Sequence, residues 1–417
     1  MQRMKDPKIA FGLITREFTD PHQALLFIEN ARTYGHEIDR LIIAYSHRAD
    51  PDAVGEVKQR IPVDLLQAHG DPTLKQRLLA LGMELDDVRG LLHVPSWLQY
   101  REVPYGAYRN TVLLQALLTG MDALLFFDTD VQPRVLTGIK QKLVYWQEVD
   151  FVQTHMASLS QDEVAATTSD YSGYYIIPPM MFDGFPELLY GLGKGMALDY
   201  MQDCREHKCL NFGPAQPGLP RPTLKPLGGN LGLSLDQPWN LAPFFSTTYV
   251  FQGQCVKGRG EDTLLGQALA ASNRKLLDVD MRIFHDTYGD FPAMPDIARQ
   301  STRDRFYRAC LGWIGRNPFM TWFLDQAGRL ENSFESEIIL QQIGLEIGGE
   351  KAAQALGDAR FLDLPAAFKA SLAALPGCIE QYERLMRGWK PLIRILCPQA
   401  PFQQMADEGN QEFRLAS

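Results

Sequence analysis

The chain contains 417 residues, and its 41 Lys and Arg against 50 Asp and Glu give a formal charge of −9. Hydrophobic residues make up 45% and charged residues 22%, which excludes a disordered or fibrous chain, and the length predicts about two to three domains. The excess of negative charge argues against a broad surface for nucleic acid or anionic lipid.

The six cysteines are scattered along the chain and are too few for a disulfide framework, which predicts a reduced protein. The first residues lack the apolar segment of a signal peptide, and no stretch reaches the ~18 uncharged apolar residues of a membrane span. We therefore expect a soluble, cytoplasmic protein without a transmembrane segment, at most peripheral to a membrane.

The first part of the chain reads as a βαβ unit. An apolar run at 9–13 predicts a strand, 20–34 a helix, and 40–45 a second strand. This order implies a parallel sheet, whose ligands bind beyond the carboxyl ends of the strands. Residues 54–99 have a helical composition without a clean period.

The middle of the chain contains the clearest strand. A predicted helix at 106–118 leads into a continuous apolar run at 123–127, which is typical of a central buried strand. Two more strands are predicted at 150–153 and 173–177. The five prolines and two glycines of 212–226 predict a long loop.

Strand signals end near residue 288, after a strand-like run at 277–284. From residue 303 the pattern is helical, with breaks expected at Pro318, Gly348-Gly349, Pro376-Gly377 and Pro398. We predict a catalytic α/β domain at 1–295 and a helical region at 296–417 that shapes an acceptor site or a homo-oligomer interface.

Two carboxylates, Asp128 and Asp130, stand where the central apolar strand reaches solvent. Hard oxygen ligands at this position suit a divalent cation that meets a diphosphate. The alternative is an aspartate that caps the turn after the strand, helped by Pro133.

Further segments follow in a characteristic order: 106–110 (Gly-Ala-Tyr-Arg-Asn) before the Asp-x-Asp strand end, then 228–230 (Gly-Gly-Asn), Glu261-Asp262 and His285. This order resembles glycosyltransferases of the GT-A fold, especially family 2-like enzymes, over residues 8–288. The resemblance implies an α/β fold with a Rossmann-like, mostly parallel sheet flanked by helices. It also implies a nucleotide-diphospho-sugar donor, a hydroxyl acceptor and a divalent cation, Mn²⁺ or Mg²⁺.

The resemblance assigns the metal to Asp130 and His285, with Asp128 as a further ligand or facing the ribose or a metal-bound water. A divalent cation neutralises the diphosphate that leaves during transfer. The alternative for His285 is a histidine paired with Asp286.

Donor contacts are implied for Arg109, Asn110 and Thr129, and for the loop formed by Gly228, Gly229 and Asn230. Arg109 has an alternative as the partner of a nearby carboxylate. The glycine loop has an alternative as an ordinary hairpin turn.

The resemblance makes Asp262 the base that takes the proton of the acceptor hydroxyl, with Glu261 as its neighbour or a second contact. The same two residues start a predicted helix at 263–271, where the helix dipole favours negative charge. Both interpretations are compatible, but a helix N-terminus also lowers the pKa of a carboxylate, so a strong base at this position needs an offsetting environment.

One departure concerns the end of the second strand, where Tyr45 stands in place of the acidic residues that usually contact the nucleobase. Tyr45 is a candidate to stack on the base, and the donor stays open between UDP- and GDP-sugars. Stereochemistry is also open: inversion with Asp262 as base, or retention as in enzymes of the mannosylglycerate-synthase type.

Two other functions remain as alternatives. A sugar-phosphate nucleotidyltransferase also uses acidic metal sites, but its glycine-rich loop after the first strand is missing at 13–17. A non-catalytic protein that binds sugar nucleotides or carbohydrate would keep the same fold without turnover.

Overall fold

The computed structural model describes residues 7–92, 103–195 and 210–398. The strands are β1 Ile9–Phe18, β2 Arg40–Ala49, β3 Val63–Gln67, β4 Ala123–Phe127, β5 Val131–Lys140, β6 Leu143–Glu148, β7 Val164–Thr168, β8 Ser172–Tyr174, β9 Leu210–Asn211, β10 Arg221–Pro222, β11 Asn230–Ser234, β12 Thr248–Phe251, β13 Gln254–Lys257, β14 Lys275–Asp278 and β15 Ile283–His285.

The helices are α1 His22–Thr33, α2 Pro51–Lys58, α3 Pro72–Ala80, α4 Leu85–Leu91, α5 Tyr105–Leu118, α6 Phe151–Leu159, α7 Phe185–Gly191, α8 Glu261–Ala271, α9 Gln300–Gln326, α10 Phe334–Leu356 and α11 Leu364–Leu396. Short 3-10 turns lie at Pro238–Asn240 and Ala359–Asp363.

The main sheet has the strand order β10-β14-β7-β11-β4-β1-β2-β3. Strands β3, β2, β1 and β4 are parallel, as are β7 and β14, while β11 runs antiparallel between β4 and β7. A second sheet has the order β6-β5-β15-β8-β9. The predicted fold class, a mostly parallel α/β sheet flanked by helices with a helical C-terminal region, is confirmed.

Strand β4 is central because all five of its side chains are apolar and buried. Its neighbour β11 starts at Asn230, which pairs with Phe127, so the Gly228-Gly229 turn lies beside the carboxyl end of β4. Strand β15 ends at His285, which pairs with Val131 directly after Asp130. The two sheets thus bring the Gly228-Gly229 turn and His285 to the carboxyl end of β4.

Several local predictions are wrong. The segment 150–153 is the start of helix α6 and not a strand, because the Asp150 carboxylate caps the helix by accepting from Gln153 N at 2.9 Å. The segment 54–99, predicted helical, contains strand β3, and its residues 93–99 lie outside the described part of the chain. The run 277–284 is divided between β14 and β15, which belong to different sheets.

Three predicted helix breaks are also wrong, since helices continue through Pro318, Gly348-Gly349 and Pro376. At Gly348, a Cβ would lie 2.3 Å from the backbone nitrogen of Leu188, so the glycine lets α10 approach α7 closely. Extensive packing of these long helices compensates for the lost hydrogen bond or weak local propensity.

The residues after 295 share hydrophobic cores with the sheet domain. Phe319 of α9 and Trp389 of α11 pack in the cluster that contains Phe126 of β4 and Phe244. The indole nitrogen of Trp389 also donates to Leu241 O at 3.3 Å. The domain boundary at 295 therefore stays a prediction, and it crosses a continuous core.

One described stretch, Ala359–Leu396, is long and apolar enough to cross a membrane by length and composition alone. It buries Leu385, Trp389 and Leu392 in the core. Because a core helix passes the same test, this stretch is weak evidence for a membrane span.

Candidate active site

Asp130 and His285 meet at the carboxyl edge of β4. The imidazole Nε2 lies 3.0 Å from Asp130 Oδ2. Asp286, the alternative partner, instead accepts from Gly289 N at 2.9 Å and holds the following turn. His285 therefore contacts Asp130 and not Asp286, and the predicted shared binding of a metal ion by Asp130 and His285 stays a prediction.

The orientation of the imidazole is fixed from its other side. Thr287 Oγ1 donates to Tyr174 O at 2.8 Å and lies 3.1 Å from His285 Nδ1. Since the hydroxyl proton is used on the carbonyl, Nδ1 must carry a proton and donate to Thr287. Nε2 and the Asp130 carboxylate therefore face each other, and without a proton on Nε2 they would offer one nitrogen and one oxygen ligand to a cation.

The described residues contain no cluster of three or more His, Cys, Asp or Glu side chains able to hold a metal ion. The predicted set of Asp130, His285 and Asp128 is therefore not assembled, because the Asp128 carboxylate is turned towards Arg109. A two-ligand site fits Mn²⁺ or Mg²⁺ held partly by substrate phosphates and water.

Arg109 lies at the centre of a buried ion network and is 2% exposed. Its Nε donates to Glu261 Oε1 at 2.9 Å and one terminal nitrogen to Asp128 Oδ1 at 3.2 Å. The guanidinium also lies 5.0 Å from the ring centroid of Phe126. Arg109 thus pairs with two carboxylates, as its alternative interpretation predicts, and its contact with the donor stays a prediction.

The Gly-Gly turn is shaped by this network. A Cβ on Gly228 would lie 2.1 Å from a terminal nitrogen of Arg109, and one on Gly229 would lie 2.6 Å from Asp128 Oδ2. The Gly229 N–H donates to the hydroxyl of Tyr171 at 3.0 Å. Glycine is needed at both positions because the backbone passes directly over the charged side chains.

Asp262 is held at the start of α8 by backbone donors. Its Oδ2 accepts from Gly228 N at 2.9 Å and its Oδ1 from Thr263 N at 2.6 Å. The preceding Gly260 has φ 102°, a left-handed conformation that sets the entry into the helix. The carboxylate of Asp262 is thus fixed next to the glycine loop.

Asn110 and Asn230 are buried, and their amides bond to protein groups. Asn110 donates to Phe244 O and accepts from Phe244 N, both at 2.8 Å. Asn230 donates to Met281 O at 3.0 Å and to Ser169 O, and accepts from His155 Nε2 at 3.1 Å. These side chains support the loops of the site, so their predicted direct donor contacts stay untested predictions.

The two remaining predicted donor residues lie at the open edge. Thr129 is exposed between the two aspartates, and Tyr45 is partly exposed near the carboxyl end of β2. Tyr45 pairs with Thr15 of β1 and Gln67 of β3. Both positions are accessible to a ligand at this edge of the sheet.

Burial and charge act on the carboxylates in opposite directions. Burial alone would raise the pKa of Asp130, but the hydrogen bond and charge of His285, helped by Arg305, hold that pKa below its ordinary value. Burial raises the pKa of Asp128, although Arg109 opposes the shift. Burial and the neighbouring Asp262 charge raise the pKa of Glu261, although Arg109 opposes the shift.

A cavity of about 490 Å³ is lined by four arginines and three aspartates that the sequence analysis did not single out. Arg259 and Arg305 both line it, as does Tyr288, over whose ring the Arg305 guanidinium lies at 5.6 Å. The buried Arg305 Nε makes no hydrogen bond within the described chain. The one local signal was a helix in which arginines interrupt an apolar pattern.

No protein-family model matches the chain, and no curated protein matches it. Among solved structures, it resembles a mannosyltransferase from Pyrobaculum calidifontis in complex with GDP-mannose and Mn²⁺, at 11% identity and a TM-score of 0.38, over 95% of this chain and 89% of that one.

It also resembles glucosyl-3-phosphoglycerate synthase from Mycobacterium tuberculosis in complex with UDP, at 13% identity and a TM-score of 0.36, over 78% of this chain and 82% of that one. The complex of that enzyme with Mn²⁺, UDP-glucose and phosphoglyceric acid gives 12% identity and a TM-score of 0.35, with coverage of 78% and 82%. At this level of similarity, the roles of individual side chains follow from the contacts of this chain.

Proposed function

We propose that the chain is a metal-dependent glycosyltransferase that moves a sugar from a UDP- or GDP-sugar to a hydroxyl acceptor. The observation that carries the proposal is the pairing of Asp130 with an imidazole whose Nδ1 is satisfied by Thr287 and whose Nε2 faces the carboxylate. This pair lies at the carboxyl edge of a mostly parallel sheet, the position at which such sheets bind ligands.

Asp130 and His285 would hold the divalent cation, which supplies Lewis-acid stabilisation of the departing diphosphate when bound. The second nitrogen of the imidazole is held by Thr287, so the ring keeps one orientation. The unassigned ligand positions are left for phosphate oxygens and water.

Arg305 and Arg259, which line the same cavity as three aspartates, are the candidate contacts for a diphosphate. Arg305 acts electrostatically on Asp130, and Arg259 lies on the same wall. Arginine is well suited to phosphate because its planar donors bind two oxygens at once. Tyr45, at the end of β2, is the candidate contact for the nucleobase.

Asp262 is the proposed base for an inverting reaction. The acceptor oxygen would form a bond to the anomeric carbon while the bond from that carbon to the diphosphate breaks, and the acceptor proton would pass to Asp262. The two backbone donors on Asp262 hold the carboxylate in place before the acceptor arrives.

The test is a scan of the purified protein over UDP-, GDP- and ADP-sugars, with and without Mn²⁺, with release of the nucleoside diphosphate as the readout. We expect hydrolysis of at least one donor only with metal. Absence of both binding and hydrolysis for every donor would overturn the proposal.

The same assay separates the alternatives. Donor binding without turnover on any acceptor would indicate a binding protein, and pyrophosphate release from a nucleoside triphosphate and a sugar phosphate would indicate a nucleotidyltransferase. The anomeric configuration of the product, read by proton NMR, separates inversion from retention.

A further inference from the structure

Two cations near Asp262 have no acidic partner within the described chain. Arg316 on α9 is 6% exposed, and its one side-chain hydrogen bond within the described chain goes from a terminal nitrogen to Asn317 Oδ1 at 2.9 Å. Its Nε is buried without a partner. Lys194 Nζ lies 4.6 Å from the ring centroid of Trp313, one helical turn before Arg316.

Backbone contacts bring these cations to the start of α8. A Cβ on Gly260 would lie 2.9 Å from Arg316 Cδ and 3.0 Å from a terminal nitrogen, so the guanidinium covers the turn that leads into Asp262. Gly193, next to Lys194, lies against the Asn317 side chain, where a Cβ would come within 3.0 Å. Three segments distant in sequence therefore meet beside Asp262.

Among the described residues, the positive charges of Lys194 and Arg316 outnumber the negative charge of Asp262 at this junction. Burial and the neighbouring Arg316 lower the pKa of Lys194 to about 7, and burial lowers the pKa of Arg316. Asp262 acts on both cations in the opposite direction. A buried cation and a half-buried cation beside the Asp262 carboxylate are costly unless another anion balances them.

We propose that Arg316 and Lys194 bind a carboxylate or phosphate group of the acceptor, whose hydroxyl is presented to Asp262. The acceptor class is then a small hydroxyl compound that carries an anionic group. This inference rests on the proposed function, since it takes the acceptor hydroxyl to lie at Asp262. Arginine supplies two parallel donors to such an anion and lysine a point charge.

The experiment uses three probes of similar size: glycerol, glycerate and glycerol 3-phosphate. Calorimetry measures their binding to the protein alone, and the donor assay with Mn²⁺ measures transfer to each. We expect glycerate or glycerol 3-phosphate to bind and accept sugar better than glycerol, and the two anions distinguish a carboxylate site from a phosphate site.

The variants Lys194→Met and Arg316→Lys should each reduce the preference for the anion over glycerol by about 10-fold or more, because each removes a charged or bidentate contact. Lys369→Met, an exposed lysine on α11, is the matched control and should keep the preference. Thermal unfolding of each variant checks that it is folded. If Arg316→Lys does not fold, Lys194→Met still tests the site independently.

Equal binding of glycerol and both anions to the unmodified protein would overturn the inference, as would an unchanged preference in folded Lys194→Met. Binding of nucleotide sugars, measured separately, reports on the proposed function alone. Failure of donor binding with anion preference intact would reject the transferase and keep the anion site. Donor turnover without anion preference would reject the anion site and keep the transferase.

Discussion

At the carboxyl edge of the main sheet, Asp130 and Asp128 each face a basic side chain, His285 at 3.0 Å and Arg109 at 3.2 Å. On helix α9, by contrast, Arg305 and Arg316 keep buried Nε atoms without hydrogen-bond partners among the described residues. The carboxylates of the sheet edge thus contact basic side chains, one of which, Arg109, also keeps a terminal nitrogen without a hydrogen bond in the described chain, whereas Arg305 and Arg316 form no ion pair with a described carboxylate.

This difference indicates what each region leaves to a ligand. Paired carboxylates are oriented in advance and need only a cation or a hydroxyl to act on. Unpaired cations in a low-dielectric environment favour binding of an anion, which removes their electrostatic cost. If the proposed function holds, we expect the helical region to contribute specificity to a site on the sheet.

The largest expected effect comes from Arg109→Met, which removes the cation shared by two carboxylates at the sheet edge. Glu261 and Asp128 would lose their shared cation, and we expect the free energy of unfolding to fall by about 3–5 kcal/mol. Urea denaturation measures the change. Adding Glu261→Gln should recover part of it by removing one unbalanced carboxylate. A loss below about 1 kcal/mol would mean that the network behaves like an exposed ion pair.

A second test removes the predicted metal ligand with Asp130→Ala. We expect metal-dependent donor turnover to fall by about 100-fold or more, because the diphosphate loses its Lewis acid. Asp286→Asn is the matched control, since that neighbouring carboxylate accepts from Gly289 N and not from His285. Retained turnover in Asp130→Ala would reject the metal assignment even if the activity is present.

A smaller effect is expected from Gly228→Ala, whose methyl group would lie 2.1 Å from the Arg109 guanidinium. Displacing Arg109 should lower the free energy of unfolding by about 1–3 kcal/mol. Gly55→Ala in α2 is the control because its added Cβ meets nothing within 4 Å, and it should be neutral or stabilising by up to about 1 kcal/mol. Equal stability of the two variants would show that the glycine turn is not constrained.

The smallest expected effect is a pH dependence of anion binding at Lys194, on the helical face. The pKa of Lys194 is about 7 in the free protein, and the charged groups acting on it are Arg316, Asp262, Lys225 and Arg259. Lysine is charged below its pKa, so the affinity for glycerate or glycerol 3-phosphate should fall several-fold from about pH 6 to about pH 8.

Lys194→Arg should remove this dependence, because arginine stays protonated throughout that range. Calorimetry at both pH values provides the measurement. The same decline in affinity in Lys194→Arg would assign the titration to another group.

Local sequence was sufficient where one segment carries the whole signal. The apolar run of β4 predicts a buried strand with its bounds as observed, and Asp128 and Asp130 follow at its end. The start of α8 at Glu261 was also predicted, since acidic residues favour a helix N-terminus. The prediction from local sequence is wrong at 150–153, because a short apolar segment is compatible with either a strand or a helix. The cap at Asp150 selects the helix.

What the sequence by itself determined is therefore the α/β class, the central strand and the type of chemistry that its terminal carboxylates support. Only the tertiary structure decided that Arg109 pairs with Glu261, 152 residues away, and that Lys194 and Arg316 lie together beside Asp262. Strand and helix patterns are local and repeat every few residues. The balance of charge in a buried site depends on which distant segments the fold brings together, and no local pattern records it.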